Sequence, residues 1–315
     1  MTDVKKEIKK LRPNLKDNTI HQYSLQLNKL KKLFDTDDYK FLDKPKDVAD
    51  KISHLHYTSQ RNAYNAIILL LLALDKDKEL IEEYGKMRDE LNTKYEEEQA
   101  SGKISEKQSK NFVDMSEVEN MVNEMGKTVK GYKKKESLNQ NERQLLKAYT
   151  LFSILIRIPT RNDQAGMLLI SKKMYNKLNE EDKKAHNYLL MEKSSMKFIY
   201  NQYKTAKKYA ENIVDIPKDL EKILRMYIRI MSIKSGDVLF DMTKNAQSQL
   251  LLKMSQKYMG KRISSTMLRK IYLSSKYGDT LKEMKADAKM MMHSPDVAQS
   301  VYIKDMDNVN KKETD

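Results

Sequence analysis

Helix-breaking residues are scarce throughout this chain. Only 8 glycines and 5 prolines occur in 315 residues, whereas the two residues together make up about 12% of an average protein. Long stretches free of both favour α-helix over strand or irregular structure. We therefore expect a mainly helical protein, and the length suits two domains of ordinary size.

Other features of the composition exclude several classes of protein. The chain has no cysteine, which rules out disulfide scaffolds, cysteine-based zinc sites and cysteine nucleophiles. The first residues are charged and do not form a signal peptide, and the longest apolar run, Ala66–Leu74, is too short to span a bilayer. We expect an intracellular protein in a reducing compartment, with no membrane partner. The histidines outside the motif below do not cluster as metal ligands would: His21, His54, His56 and His186.

The first hundred residues show helical periodicity. Apolar residues from Thr19 to Phe34 recur at spacings of three and four, which predicts an amphipathic helix. Further helices are expected at Ser59–Leu74 and Lys78–Gln99, the former so apolar that it belongs at the centre of a bundle. The polar stretch Ala100–Lys110 is the best linker candidate. We place the domain boundary there, giving a helical domain 1–105 and a second domain 106–315.

The second region is predicted to be helical with a small antiparallel sheet. Short β-prone runs at Gly166–Ser171, Met196–Tyr203 and Asn212–Ile216 interrupt the helices, and the last two flank a basic turn typical of a hairpin. The predicted helices are Met115–Glu124, Asn141–Ile158, Pro217–Ile233, Asn245–Met259, Ser265–Ser275 and Thr280–Met291.

Positive charge is concentrated in this second region. Residues 1–100 carry equal numbers of acids and bases, so residues 101–315 hold the whole net charge of +15. A basic balance confined to one region indicates a polyanionic partner, most often nucleic acid. A general lysine bias in coding is the alternative; it predicts an excess of positive charge throughout, and the neutral first hundred residues count against it.

Five polar residues are candidates for a functional site because of their positions relative to the predicted helices and hairpin. Arg161 follows a long apolar helix and Pro159, Lys204 lies in the predicted hairpin turn, and Arg269 opens a basic helix three residues after Thr266. His293 ends a helix, and Tyr302 follows nine residues later. In order and setting these residues resemble the tyrosine recombinase (phage-type integrase) family over most of residues 106–305. The Arg-Asn-Asp sequence after a proline resembles the variant in large DNA viruses and their satellite elements.

The resemblance implies a fold, a site and a chemistry. It implies a helical core-binding domain of the SAM-like type followed by an α+β catalytic domain, acting on double-stranded DNA as a homotetramer without a cofactor or metal. Tyr302 would attack a phosphodiester to give a 3′-phosphotyrosine. The two arginines would hold the non-bridging oxygens, and Lys204 would protonate the leaving oxygen. The role of general acid stays open among Lys204, Lys207 and Lys208.

The chain also departs from the family pattern. Thr266 replaces a histidine, Gln164 an acid and Met292 a glycine. Asp163 is the candidate to orient the first arginine in place of the missing acid, and Thr266 is a possible auxiliary group. The expected DNA contacts are Lys207, Lys208, Lys261, Arg262 and Lys270. A type IB topoisomerase and a non-catalytic DNA-binding protein on a decayed recombinase fold are the alternatives to a recombinase that serves viral genome integration.

Overall fold

The computed structural model describes residues 3–297 and 299. The described chain forms two compact units, unit 1 up to Ile104 and unit 2 from Ser105 onward. No helix in the described part is both long and apolar enough to cross a membrane. The fold is mainly helical with one small sheet, as the sequence predicts.

Unit 1 is a helical bundle built around its most apolar helix. Its elements are α1 (Val4–Leu11), α2 (Asp17–Leu33), a 3-10 turn at Lys40–Asp43, α3 (Pro45–Ile52), α4 (Tyr57–Ala73) and α5 (Lys78–Ala100). Helix α4 packs against α1, α2 and α5 and buries Ile67 and Leu70 completely. Its predicted central position is confirmed. The hydroxyl of the fully buried Tyr84 donates to the carbonyl of Leu42 at 3.0 Å, which ties α5 to the 3-10 turn.

Unit 2 is organised around one buried helix. The helices are α6 (Glu106–Ser109), α7 (Met115–Lys130), a 3-10 turn at Gly131–Lys134, α8 (Gln140–Leu155), α9 (Lys172–Tyr175), α10 (Glu180–Ala185), α11 (Ala206–Tyr209), α12 (Lys218–Ile230), α13 (Lys244–Met259), α14 (Ser265–Met290) and α15 (Pro295–Val297). Helix α8 is buried along most of its length and packs against α7, α12 and α13. Its N-terminus has a capping box between Asn139 and Glu142, which fixes where the helix begins.

The sheet of unit 2 has four strands in the order β1 (Leu168–Ser171), β2 (Tyr188–Met191), β3 (Met196–Tyr200) and β4 (Asn212–Asp215). The predicted hairpin is confirmed, since β3 and β4 pair antiparallel. The sheet is nevertheless mixed and not wholly antiparallel, because β1 runs parallel to β2. A parallel pair requires a crossover connection, and α9 and α10 form it. One face of the sheet joins the main core and the other forms a small separate cluster beneath this crossover.

Helix α14 differs from its prediction. Two helices were expected, at Ser265–Ser275 and Thr280–Met291, but the structure has one continuous helix of 26 residues. Leu268 and Ile271 in its first part enter the main core, Leu273, Tyr277 and Leu281 farther along are exposed, and Ala288 near its end is again buried. The middle of α14 is therefore largely exposed.

Candidate active site around Arg161 and Arg269

Arg161 lies in a turn held against the core of unit 2. Helix α8 ends in fully buried residues, among them Leu155, and the chain then passes through Pro159 to the half-buried Arg161. Within the described chain, no hydrogen bond or ion pair engages the guanidinium of Arg161. The turn is fixed while the functional group that it presents remains available to a ligand.

A buried network of polar side chains supports this turn. The amide nitrogen of Gln164 donates to the hydroxyl of Thr160 at 2.5 Å and lies 3.3 Å from the hydroxyl of Tyr200 on β3. The amide of Gln247 on α13 donates to the amide oxygen of Gln164 at 3.2 Å. Both glutamines have no exposed surface, and burial raises the pKa of Tyr200. Gln164 therefore joins the turn, the sheet and α13. This glutamine, which stands where the family pattern has an acid, thus has a structural role.

Asp163 was predicted to orient the first arginine. Its buried carboxylate instead accepts a hydrogen bond from the ammonium of Lys244 at 2.7 Å. The backbone carbonyl of Lys244 in turn accepts from the amide of Asn162 at 3.0 Å. Asp163 thus anchors the turn to the start of α13, and its charge also reaches Arg269.

Arg269 lies in the first turns of α14. The hydroxyl of Ser264 caps this helix by accepting from the backbone N–H of Met267 at 3.2 Å. The guanidinium of Arg269 donates to the hydroxyl of Thr266 at 3.1 Å and lies 3.4 Å from the carbonyl of Ser265. Thr266 therefore orients Arg269 by accepting this hydrogen bond through an uncharged hydroxyl.

The fold brings the two arginines together. Burial lowers the pKa of Arg269, and the neighbouring positive charge of Arg161 lowers it further, whereas the carboxylate of Asp163 raises it. Two half-buried guanidinium groups repel each other unless an anion lies between them. A pair of this kind suits the oxygens of a phosphate, which arginine forks bind bidentately.

Lys204 lies in the connection between β3 and β4, as expected. Its side chain is exposed, in the same connection as the exposed Lys207 and Lys208 on α11. The hydroxyl of Tyr203 donates to the carbonyl of Ala210 at 2.7 Å, which closes this connection. The backbone contacts described next hold the connection near the turn of Arg161.

Asn187, just before β2, is a residue that the sequence reasoning missed. Its amide nitrogen donates to the carbonyl of Asp163 and to that of Gln202, both at 3.1 Å. Its amide oxygen accepts from the backbone N–H of Asn201 at 2.8 Å and of Gln202 at 2.7 Å. A single buried side chain thereby joins the Arg161 turn to the Lys204 connection. No local sequence signal marks it, because its four partners come together only in the folded chain.

His293 lies beyond the end of α14. The preceding Met292 adopts φ 61°, the left-handed conformation that glycine takes most readily, at the position where the family has glycine. A helix of 26 residues is ~39 Å long, and Arg269 lies near its start. The continuous helix therefore keeps His293 apart from the arginine pair, and its predicted catalytic role stays a prediction. Tyr302 falls outside the described residues.

Some of the predicted DNA contacts have partners within unit 2. The ammonium of Lys261 donates to the carbonyl of Lys110 at 3.0 Å, and that of Lys270 to the side chain of Gln108 at 3.0 Å. The backbone N–H of Arg262 donates to the side chain of Asn111 at 2.8 Å. This basic segment holds the chain around α6 in place.

No family profile matches the chain, and no curated protein matches it. Among solved structures the chain is similar to that of XerA recombinase, at 12% identity and a TM-score of 0.33, over 98% of this chain and 97% of the other.

Proposed function

We propose that this chain is a site-specific DNA recombinase of the tyrosine class, which cuts and rejoins duplex DNA through a 3′-phosphotyrosine on Tyr302. The observation that carries the proposal is the pair of half-buried guanidinium groups of Arg161 and Arg269, which lie within electrostatic reach of each other. Arg161 has no hydrogen-bond or ion-pair partner in the described chain, so a phosphodiester would supply the missing negative charge.

The chemistry assigned to the site follows from the negative charge that develops on the phosphate during the reaction. Attack on phosphorus places extra negative charge on the non-bridging oxygens, which rigid, correctly placed donors stabilise more than mobile ones do. The Gln164 network and the Asp163–Lys244 pair make the Arg161 turn rigid, and the Ser264 cap and Thr266 orient Arg269. Lys204 is the proposed general acid for the leaving 5′-oxygen. Lys207 and Lys208 extend the positive charge along the same connection.

His293 would have to reach this phosphate from the far end of α14, and Tyr302 follows it by nine residues in the sequence. We propose that α14 breaks near Gly278 when DNA binds, at the segment between the two helices that the sequence predicts. The later part then folds back and buries Leu273, Tyr277 and Leu281, which are exposed in the structure.

The biological setting belongs to the proposal as well. The chain would act inside the cell on paired DNA sites as a homotetramer, with unit 1 as the core-binding domain and unit 2 as the catalytic domain. Integration of a viral or satellite genome is the proposed purpose. The net charge of +15, all of it in residues 101–315, supports duplex DNA as the partner.

A nicked suicide substrate tests the function. Its sequence comes from the ends of the genetic element that encodes the chain, and a nick close to the cleavage point lets the short 5′-hydroxyl strand diffuse away, so that covalent protein–DNA product accumulates. The Tyr302→Phe variant should yield no such product while its DNA affinity stays within a few-fold, because only the nucleophile is lost. The matched control is Tyr258→Phe, which removes a hydroxyl from a half-buried tyrosine of α13 and should trap DNA as the unaltered chain does.

The possible outcomes separate the three functions. Covalent product that depends on Tyr302, with strand exchange between two sites, supports a recombinase. Relaxation of supercoiled DNA without exchange would indicate the topoisomerase alternative. DNA binding with no covalent product from any substrate would indicate the alternative of a non-catalytic DNA-binding protein.

A further inference from the structure

A basic pocket lies at the end of α8 that is remote from Arg161. It has a volume of about 670 Å³ and is lined in part by Lys133, Lys135, Arg143 and Arg229, with Glu136 as the acid among its lining residues. Pockets that hold small ligands have volumes of about 300–1,000 Å³. The size and charge of this pocket fit a phosphate together with the sugar attached to it.

The position of the pocket follows from the antiparallel packing of α8 and α12. At one end of the pair, the guanidinium of Arg157, just after α8, is hydrogen-bonded at 2.7 Å to Asp219 at the start of α12. The pocket is at the other end, where α8 begins and α12 ends. A helix of 16 residues is ~24 Å long, and α8 runs through the core, so the pocket and the Arg161 turn lie at opposite ends of this core helix.

The basic side chains of the pocket differ in whether they already have hydrogen-bond or ion-pair partners within the protein. Lys135 forms an ion pair with Glu142. The Nε atom of Arg143 donates to the carbonyl of Leu138 at 3.0 Å, which fixes the side chain and leaves its terminal nitrogens for other acceptors. In the described chain, Arg229 and Lys133 have neither an ion pair nor a side-chain hydrogen bond. Two arginines and a lysine are thus available at the wall of one pocket.

We propose that this pocket binds a phosphate group of a DNA segment other than the one held by Arg161 and Arg269. Arginine forks suit phosphate oxygens, and the hydroxyls of Ser137 and Ser232 at the same wall add neutral donors. The identity of the ligand as DNA rests on the proposed function, whereas the phosphate chemistry rests on the pocket alone. A second segment held there would keep a partner duplex close to the protein while the first is cut.

The absence of cysteine from the chain permits a direct test. The Ser137→Cys variant carries its thiol at the pocket wall, and the Ser194→Cys variant carries one at an exposed turn between β2 and β3 as the matched control. The rate of alkylation by iodoacetamide is measured for the full chain alone, with inorganic phosphate, with a short duplex, and after covalent trapping on the suicide substrate with and without added duplex.

We expect the free duplex to slow alkylation of Ser137→Cys several-fold without affecting Ser194→Cys. In the trapped complex, protection should appear only when a second duplex is added. Combining Ser137→Cys with Arg143→Gln and Arg229→Gln should abolish protection. Combining it with Lys173→Gln and Lys222→Gln, which remove the same charge from exposed positions outside the pocket, should preserve it.

Three outcomes would overturn the proposal. These are no protection by any phosphate compound, protection by inorganic phosphate but not by duplex, and full protection in the trapped complex before a second duplex is added. Failure to form the covalent complex would contradict the proposed function instead. Protection of the Ser137→Cys variant by free duplex, and its loss with Arg143→Gln and Arg229→Gln, would then still support a DNA-phosphate site in the pocket.

Discussion

Thr266 stands where the family pattern has a histidine. Its hydroxyl accepts a hydrogen bond from Arg269 at 3.1 Å, so it orients the arginine without carrying a charge. Removing one hydrogen bond at this exposed position costs about 1 kcal/mol, or roughly five-fold in rate. Losing an arginine that stabilises the transition state costs about 10²–10³-fold.

We therefore expect Thr266→Ala to slow single-turnover cleavage of the nicked substrate only modestly, and Arg161→Ala or Arg269→Ala to slow it by about 10²–10³-fold. The four proteins are compared at saturating DNA so that differences in affinity do not contribute. A Thr266→Ala variant as impaired as Arg269→Ala would show that Thr266 takes part directly in the reaction.

Asn187 offers a second prediction at the residue scale. The Asn187→Asp variant lacks the amide N–H groups that donate to the carbonyl oxygens of Asp163 and Gln202. A carboxylate oxygen takes their place, and it repels both carbonyl oxygens. Each unsatisfied buried group costs about 1–3 kcal/mol, so we expect a lower free energy of unfolding in urea. We also expect slower cleavage at saturating DNA, since the Arg161 turn and the Lys204 connection are no longer held together.

Asn179→Asp is the matched control for this prediction. Asn179 caps α10 by accepting from the backbone N–H of Asp182 at 2.7 Å, and an aspartate can accept the same bond. The control should preserve both stability and cleavage. Equal cleavage rates for Asn187→Asp and the unaltered chain, measured where both are folded, would contradict the positioning role of Asn187.

At the scale of elements, the sequence predicts most of the long helices, although it divides α14 into two, and it predicts the short ones poorly. Helices such as α4 and α8 bury enough apolar surface for their periodicity or composition to reveal them. Strand β2 has only four residues and was missed, because its pairing with both β1 and β3 decides its structure. The mixed sheet was missed for the same reason, since the direction of β2 is a property of the crossover and not of its own residues.

Helix α14 carries the prediction that belongs to this scale. Gly278 lies within it, and no described atom lies within 4 Å of the position that a Cβ would occupy there. Gly278→Ala should stabilise the continuous helix by about 0.5–1 kcal/mol. If catalysis requires a break near this position, the same substitution should slow cleavage by roughly two- to five-fold, so that stability and activity change in opposite directions.

Gly85→Ala serves as the control, because Gly85 lies inside α5 with equally open surroundings. It should stabilise unit 1 and leave cleavage unchanged. Thermal unfolding and single-turnover cleavage are measured on both variants. Unchanged or faster cleavage by Gly278→Ala would show that the continuous form of α14 is compatible with the reaction.

At the scale of the whole molecule, the sequence identifies the candidate site residues but does not predict which groups they contact. Arg161 and Arg269 are far apart in the chain, and their mutual effect on charge arises only through the packing of α8 and α14. The predicted partner of Arg161, Asp163, bonds to Lys244 instead. Lysine is too frequent in this chain for its sequence position to show which ammonium groups have internal partners.

The division of lysines into free and internally bonded groups leads to a prediction about salt dependence. If the net charge of +15 neutralises DNA phosphates, the logarithm of affinity should fall linearly with the logarithm of salt concentration, with a slope of about −0.9 per phosphate contacted. Lys207 and Lys208 are exposed, whereas Lys261 and Lys270 already bond to Lys110 and Gln108. The first pair should therefore contribute more to the slope.

Fluorescence anisotropy with one labelled duplex, titrated at a series of salt concentrations, measures this slope for two double variants. Lys207→Gln with Lys208→Gln should make the slope shallower by about 1.8, the contribution of two phosphate contacts. Lys261→Gln with Lys270→Gln removes the same charge but should change the slope by less, because binding DNA would first require these side chains to give up their bonds to the segment around α6. Equal changes in the two variants would show that the internal bonds do not restrain Lys261 and Lys270. A slope near zero for the unaltered chain would contradict DNA as the partner of the basic surface.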